Sequence, residues 1–356
     1  MLTVAMLGSF SSGKSFLISG LQAHLSYERI VYEGTRHDKF VGLLASSPTP
    51  TSSCPVRVVP VQDVDDATDT TRLWVRFLGE DEWVDLGEAT MPAYVAAYTT
   101  ETENNVVNRR PEHRQKMVEE AELTISRHRI PVTFYDLPGH SAPRRTQDEV
   151  IRQRMRAADA YVYVCRAGRT LDDSDLEMIR TLYVHHAESG KPVLWVVTAI
   201  DSASNLGADD RLDWQVTAEA NTEFVRDAFE GESRDRSFVE FGFLGVSAAL
   251  EARGLRSRDS QEESRDSQEE LAAQDIATSN MGELRDRLND LVARYSGVRH
   301  IQSIAEQAMS VLLPHLALCT QLLATERVPY EKLLDEKKAL RGYSGVDFMR
   351  SARAGG

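Results

Sequence analysis

Eight residues near the start of the sequence have the types and the spacing that phosphate binding requires. They fit the pattern G-x-x-x-x-G-K-[ST] and are Gly8, Ser9, Phe10, Ser11, Ser12, Gly13, Lys14 and Ser15. Glycines let backbone N–H groups turn inward around phosphates, and the N-terminus of a following helix adds positive potential. In this chemistry the lysine reaches the β- and γ-phosphates, and the last serine hydroxyl binds Mg²⁺. We include Phe16, the next residue, in the predicted phosphate site.

A second segment places a carboxylate directly after an apolar run. Asp136 begins the sequence Asp-Leu-Pro-Gly, which ends at Gly139. An aspartate at a strand end can hold Mg²⁺ through water, and the N–H group of Gly139 can meet a γ-phosphate. Asp-x-Pro-Gly is also a common turn, so only its register with the phosphate loop favours this interpretation.

Two later segments have features that suit recognition of a base. The run from Thr198 to Asp201 (Thr-Ala-Ile-Asp) ends in a carboxylate that can accept two N–H donors from the edge of guanine, a pairing that adenine cannot supply. Ser247 and Ala248 follow the last apolar run, and their backbone N–H groups can reach a guanine carbonyl. Alone, this pair is equally the start of a helix, and ATP remains the alternative if Asp201 does not face the base.

The elements around these segments predict the fold. Apolar runs that suit strands lie at 2–7, 54–61, 72–78, 130–135, 159–165, 193–200 and 238–246. Helices are expected from Lys14 to about Leu25, at 146–157, 172–188 and 212–230, and over most of 90–126. This alternation predicts an α/β fold, doubly wound around a mostly parallel sheet. All four motifs then stand at the C-terminal ends of strands, the edge where open sheets of this class bind ligands.

The four motifs together resemble those of the P-loop GTPase superfamily, in order and in spacing, over roughly residues 1–296. They correspond to its G1, G3, G4 and G5 motifs, so the resemblance implies binding of GTP and GDP with Mg²⁺. Under it, Ser15 and Asp136 are metal ligands, and Thr198, Asp201, Ser247 and Ala248 hold the base. One departure concerns Ala199, which stands where the G4 motif normally has lysine. We expect this change to weaken nucleotide affinity more than base choice.

Three further details are similar to the dynamin family, in particular its bacterial members. Ser11 stands where dynamins carry a phosphate-loop serine, and residues 50–55 (Pro-Thr-Ser-Ser-Cys-Pro) resemble their switch I. The G1 and G3 motifs are also far apart, as in dynamin-like G domains, which carry an extra hairpin and helices there. The resemblance implies an enlarged G domain, activation by G-domain dimerisation and work on membranes or in oligomer assembly.

The resemblance also implies roles for individual side chains. Ser52 is expected to offer its hydroxyl to Mg²⁺, with Thr51 as the near alternative and a loop without a ligand as the other. Phe10 stands where eukaryotic dynamins place a catalytic glutamine, so His140 becomes a candidate to orient the attacking water. A solvent-facing His140 is the competing interpretation. The predicted catalytic set is Ser11, Lys14, Ser52, Gly139 and His140.

Composition divides the chain and limits its partners. We predict a GTPase domain at 1–299 with an acidic insert at about 254–276, a helical segment at 300–345 and a frayed tail at 346–356. Within the insert, residues 257–270 repeat Ser-Arg-Asp-Ser-Gln-Glu-Glu twice in tandem and are expected to form a solvated loop. The apolar stripe after residue 300 suits core packing, an oligomer seam or a membrane-seeking face.

The net charge of −14, from 41 Lys+Arg against 55 Asp+Glu, disfavours non-specific binding to nucleic acid or to an anionic membrane. Three separated cysteines predict reduced thiols. We therefore expect a cytoplasmic protein, with a peripheral position at the inner face of the membrane as the alternative. Its expected partner is a second copy or a related GTPase. The open functional alternative is a GTP-gated switch that binds a protein partner, turns over slowly and has no membrane activity.

Overall fold

A computed structural model describes most of the chain. The described residues are 1–9, 11–44, 53–61, 70–89, 91–100, 106–139, 148–229, 236–259, 265–294, 312–313, 316, 320–321, 323–325 and 330–339. Contacts divide the chain into two compact units, Met1–Ala293 and Arg294–Gly356. The described pieces of the second unit are helical, and they expose several leucines. None of the helices in the described part of the chain combines the length and the apolar character that a bilayer crossing demands.

A nine-stranded sheet forms the centre of the first unit, in the order β11-β10-β9-β1-β8-β4-β7-β5-β6. Its strands are β1 Leu2–Leu7, β4 Val56–Pro60, β5 Thr71–Phe77, β6 Trp83–Glu88, β7 Val118–Ile125, β8 Val132–Asp136, β9 Ala160–Arg166, β10 Val193–Thr198 and β11 Phe243–Gly245. The five strands from β11 to β8 run parallel, and β4 joins β8 antiparallel. The sheet confirms the predicted α/β fold class.

The described α-helices up to residue 294 are α1 Lys14–Leu21, α2 Pro92–Thr99, α3 Asp148–Ala157, α4 Asp173–Ser189, α5 Asp213–Phe229, α6 Ala248–Asp259, α7 Arg265–Thr278 and α8 at 281–294. Several of them cover the two faces of the parallel part. On one face Tyr161, Tyr163 and Trp195 pack with apolar side chains of α3, α4 and α5. Successive strand residues point to opposite faces, so the other face is left for α1, α6 and α8. On that face α1 and α6 pack closely: a β-carbon on Gly20 would lie 2.7 Å from the β-carbon of Ala248.

An extension lies between β4 and β8, made of the strands β5, β6 and β7 and the helix α2. It agrees with the extra hairpin and helix that the resemblance implies. The prediction that residues 90–126 are mostly helical is wrong for its second half, because Val118–Ile125 is a strand. Buried and half-buried residues alternate through most of that strand. This period of two suits one buried face of a sheet, which the local helix propensity of Glu-Glu-Ala-Glu-Leu does not reveal.

A separate hairpin, β2 Ser26–Tyr32 and β3 Thr35–Val41, was not predicted. Most of its residues are exposed and charged residues are spread along both strands, so it lacks the apolar run by which strands are recognised in a sequence. Tyr27 and Phe40 anchor its base, where their ring centroids lie 5.2 Å apart.

The described parts of the acidic repeat are helical. The predicted solvated loop at 257–270 is wrong wherever this segment is described, because α6 continues to Asp259 and α7 begins at Arg265. The two helices pack closely at Gly254, where a β-carbon would lie 2.7 Å from the carbonyl oxygen of Ala272. Arg253 adds two hydrogen bonds to Asp275, at 2.7 and 2.9 Å. Arg, Gln and Glu are good helix formers, and this packing supplies the burial that the repeat itself lacks.

Candidate nucleotide site

The phosphate loop joins β1 to α1 through backbone conformations that few residues adopt. Gly8 has φ 142° and Gly13 has φ 88°, both in the region that favours glycine. A β-carbon on Gly8 would lie 2.0 Å from the carbonyl oxygen of Val164 in β9, so no other residue fits there. Ser11 also has a positive φ, of 59°, which costs energy for a residue with a side chain. The loop is therefore held by its surroundings as well as by its own sequence.

Lys14 lies at the centre of this loop and is 7% exposed. Its Nζ donates hydrogen bonds to the carbonyl oxygens of Gly8, at 3.2 Å, and Ser9, at 3.0 Å. Burial lowers the pKa of Lys14 to about 8, although the charge of Asp136 acts in the opposite direction. Folding has already removed most of the water around this cation. An incoming anion therefore stabilises the charged form of Lys14 strongly.

Ser15 and Asp136 form a candidate metal centre. Ser15 Oγ donates a 2.5 Å hydrogen bond to Asp136 Oδ2, and Asp136 is buried at the end of β8. Its other oxygen, Oδ1, is buried and finds no hydrogen-bond partner among the described residues. Burial raises the pKa of Asp136, while Lys14 and the Ser15 hydrogen bond lower it. A hydroxyl and an orphaned carboxylate oxygen beside a phosphate loop are the hard oxygen donors that suit Mg²⁺.

The other end of the edge carries the residues predicted to recognise a base. Thr198 Oγ1 donates to the carbonyl oxygen of Ser12 at 2.6 Å, which ties the end of β10 to the phosphate loop. Ser247 is buried, and its Oγ donates to Asp201 Oδ1 at 2.5 Å. Asp201 itself is exposed, so its carboxylate is oriented but open to a ligand. Ala199, with φ 57°, contributes only a methyl group between these contacts.

The structure thus brings Gly8, Ser9, Ser11, Ser12, Gly13, Lys14, Ser15, Asp136, Thr198, Asp201 and Ser247 to one edge of the sheet. Phe16 turns its ring toward Phe40 of the hairpin, 5.8 Å away between centroids, and Ala248 packs beside Gly20. Gly139 is the last described residue of its segment. Phe10, Thr51, Ser52 and His140 lie outside the described residues, so their predicted roles stay predictions.

Arg169, absent from the predicted site, also reaches this edge. It follows β9, and its Nη1 donates a hydrogen bond to Ser9 Oγ in the phosphate loop. One signal in the sequence could have found it, because it lies just after the C-terminal end of a parallel strand, as the other site residues do.

Comparison with known proteins gives structural neighbours only. No protein-family model and no curated protein matches the sequence. Solved structures that do match include an oligomerised bacterial dynamin pair described in terms of sensing and tethering membranes, with 13% identity and a TM-score of 0.45. That alignment covers 90% of this chain and 46% of the dynamin chain.

Two further neighbours are GTP-related proteins. LeoA, a bacterial dynamin GTPase from ETEC, matches at 13% identity and a TM-score of 0.33, over 83% of this chain and 40% of its own. Toc33 from Arabidopsis thaliana, in complex with Mg²⁺ and GMPPNP, matches at 11% identity and a TM-score of 0.30, over 79% and 83%. This chain spans less than half the length of the two bacterial dynamins.

Proposed function

We propose that this chain binds GTP with Mg²⁺ and hydrolyses it to GDP and phosphate, as a dynamin-like GTPase. One observation carries the proposal: a single sheet edge holds a buried lysine and a hydroxyl–carboxylate pair at one end and an oriented, exposed carboxylate at the other. Lys14, Ser15 and Asp136 match the triphosphate and its metal, while Asp201 matches the N–H groups of guanine.

The residues then divide the chemistry between them. Lys14 binds phosphate oxygens from a site where water is largely excluded, which strengthens its electrostatic effect. Ser15 and Asp136 would hold Mg²⁺, and the bound metal would neutralise charge on the phosphates during hydrolysis. Ser247 keeps the carboxylate of Asp201 in place for the base. Ser52 as a further metal ligand, and Ser11, Gly139 and His140 around the attacking water, belong to the proposal through the motif resemblance alone.

A nucleotide titration tests this assignment. The wild-type chain should bind GDP and GTP and discriminate against ATP, and Lys14→Ala should abolish binding. Asp201→Asn should weaken GTP binding about a hundredfold, since two charge-assisted hydrogen bonds are lost. The same variant should gain affinity for xanthosine triphosphate, because an amide N–H can donate to the carbonyl that xanthine carries in place of the guanine amino group.

Asp210→Asn is the matched control, because Asp210 is another exposed aspartate on the chain shortly after Asp201. It should leave GTP binding and base choice unchanged. Equal binding of GTP and ATP, or an Asp201→Asn variant that binds GTP like the wild type, contradicts the proposed base site. Unchanged binding in Lys14→Ala contradicts the phosphate site.

We further propose that hydrolysis is activated when two G domains meet, and that it is coupled to oligomer assembly or to membrane remodelling. The motif resemblance supports this part. The hydrolysis rate per molecule should then rise with protein concentration, and GDP with aluminium fluoride should produce a dimer. A constant rate without a dimer would instead favour the alternative, a slow GTP-gated switch for a protein partner.

A further inference from the structure

Arg169 connects the phosphate loop to the beginning of α4. Its Nη1 donates to Ser9 Oγ, and its Nη2 donates to Asp172 Oδ2 at 2.9 Å and to Asp175 Oδ2 at 3.1 Å. The side chain of Arg169 is 37% exposed, whereas that of Asp175 is 2% exposed. A fixed positive charge therefore lies against the loop that is proposed to bind phosphates, with its position set by a buried carboxylate.

This guanidinium is held in place before any ligand arrives. Asp175 also accepts a 2.7 Å hydrogen bond from Tyr163 Oη, which orients the carboxylate that Arg169 contacts. The backbone of the same turn is bound from α5, where Asn221 accepts a 2.9 Å hydrogen bond from the N–H group of Leu171. Asn221 also donates to the carbonyl oxygen of Arg169, at 3.4 Å. Such preorganisation lowers the entropic cost of each contact that Arg169 makes.

The first turn of the phosphate loop depends on contacts of this kind. Lys14 holds the carbonyl oxygens of Gly8 and Ser9, but a bound phosphate would take the lysine protons away from them. Thr198 holds the loop further along, at Ser12. The contact of Arg169 uses the Ser9 side chain, and it does not compete with a phosphate for the protons of Lys14.

We propose that Arg169 is a positioning residue of the nucleotide site. It holds Ser9 and the start of the phosphate loop while Lys14 turns to the ligand. The inference rests on the proposed function, because it concerns the same phosphates. The competing role is purely structural: Arg169 would then serve only the N-terminus of α4 through Asp172 and Asp175.

Binding of GDP and of a non-hydrolysable GTP analogue, both with Mg²⁺, tests the inference. Arg169→Ala should raise both dissociation constants about tenfold, as expected for a lost charge-assisted hydrogen bond. Arg169→Lys keeps the charge but cannot reach Ser9 and Asp175 together, so its affinity should lie between those of Arg169→Ala and the wild type. It also serves as the readout if the alanine variant fails to fold.

A double-mutant cycle with Ser9→Ala separates the two roles. If Arg169 acts through Ser9, the loss of affinity caused by Arg169→Ala should be clearly smaller in the Ser9→Ala background. Equal losses in both backgrounds overturn the inference. Arg253→Ala is the matched control, since Arg253 has the same 37% exposure and pairs with a carboxylate, Asp275, outside the site. It should leave both dissociation constants unchanged.

The two proposals fail in different ways. If the wild type binds guanine nucleotides through Lys14 while Arg169→Ala and Arg169→Lys bind them equally well, only the inference about Arg169 is overturned. Lower thermal stability with unchanged affinity overturns the same inference, because it assigns Arg169 to α4. A wild-type chain that binds no guanine nucleotide overturns both proposals.

Discussion

At the scale of single residues, the site combines opposite charges that are both buried. Lys14 and Asp136 each carry a pKa shift toward the neutral form, and burial is the largest cause for both. Each also opposes the shift of the other through its charge. Such a pair is costly without a ligand, and a phosphate with its metal ion would supply the missing charges.

The pKa of Lys14, about 8, predicts that nucleotide affinity depends on pH. A bound phosphate raises this pKa, so binding above pH 8 requires uptake of a proton, whereas below pH 8 the lysine is already charged. We expect affinity for GDP to fall about tenfold between pH 7 and pH 9. Titrations across this range check it. Lys191→Met, which removes another lysine whose pKa is lowered by burial, should retain the slope; a flat profile in the wild type contradicts the prediction.

Gly8→Ala should destabilise the fold by more than about 3 kcal/mol and abolish nucleotide binding. The β-carbon of the new alanine would lie 2.0 Å from the carbonyl oxygen of Val164, and the backbone at this position has a positive φ. Gly79→Ala isolates the second cause, because Gly79 has φ 80° with nothing within 4 Å, and it should cost about 1 kcal/mol. Urea unfolding measures both variants. Similar losses in the two would refute a special role of the Gly8 contact.

At the scale of elements, the extension between β4 and β8 contacts two segments next to the proposed nucleotide site. The N–H group and Oγ of Ser53 both donate to the carbonyl oxygen of Thr99 at the end of α2. Arg154 of α3 donates to Glu120 of β7 at 2.6 Å. Ser53, within the 50–55 segment that resembles switch I, and the helix α3 that follows the Asp136–Gly139 segment are thus both attached to the extension.

Glu120→Gln should destabilise the protein by about 3 kcal/mol, because it leaves Arg76 and Arg154 beside a neutral side chain. The side chain of Glu120 is 1% exposed, and its carboxylate accepts hydrogen bonds from both arginines. Glu122→Gln on the same strand is the control. It breaks an ion pair between Glu122, whose side chain is 21% exposed, and Arg57, whose side chain is 39% exposed. This change should cost less than about 1 kcal/mol. Denaturant midpoints measure both costs, and equal values would show that burial of the network adds nothing.

At the scale of the whole molecule, the last helix of the first unit completes the fold around α1. Arg285 in α8 donates to the carbonyl oxygen of Gly20 at 3.2 Å and forms a double hydrogen bond with the buried Glu251. Leu284 and Leu288 of the same helix are fully buried. The end of α1, the helix that follows the phosphate loop, is therefore in contact with α8, the last helix of the first unit.

A chain of residues 1–294 should fold cooperatively and bind GDP with the affinity of the full chain, within about a factor of two. All described contacts of the proposed nucleotide site lie within the first unit, Met1–Ala293. Thermal unfolding followed by titration tests this expectation. A truncated chain that aggregates, or one that binds far more weakly, would assign residues 295–356 a part in the site. A chain ending at residue 280, which lacks α8, is the negative control and should not fold.

The sequence by itself determined the parts of this protein that depend on local chemistry. The phosphate loop, Asp136, Thr198 and Asp201 could be predicted because strand-end position and residue type suffice to name them. The strand at Val118–Ile125, the exposed hairpin and the paired helices of the acidic repeat could not, because distant partners stabilise these segments.

Tertiary structure alone decided which groups meet. Arg169 lies 160 residues from Ser9 in sequence, and Ser247 lies 46 residues from the Asp201 that it orients. Burial likewise sets the pKa values of Lys14 and Asp136, and no local pattern encodes it. The sequence names the groups that can bind a nucleotide. The fold removes water from them and fixes their distances, and those two effects set how strongly they act.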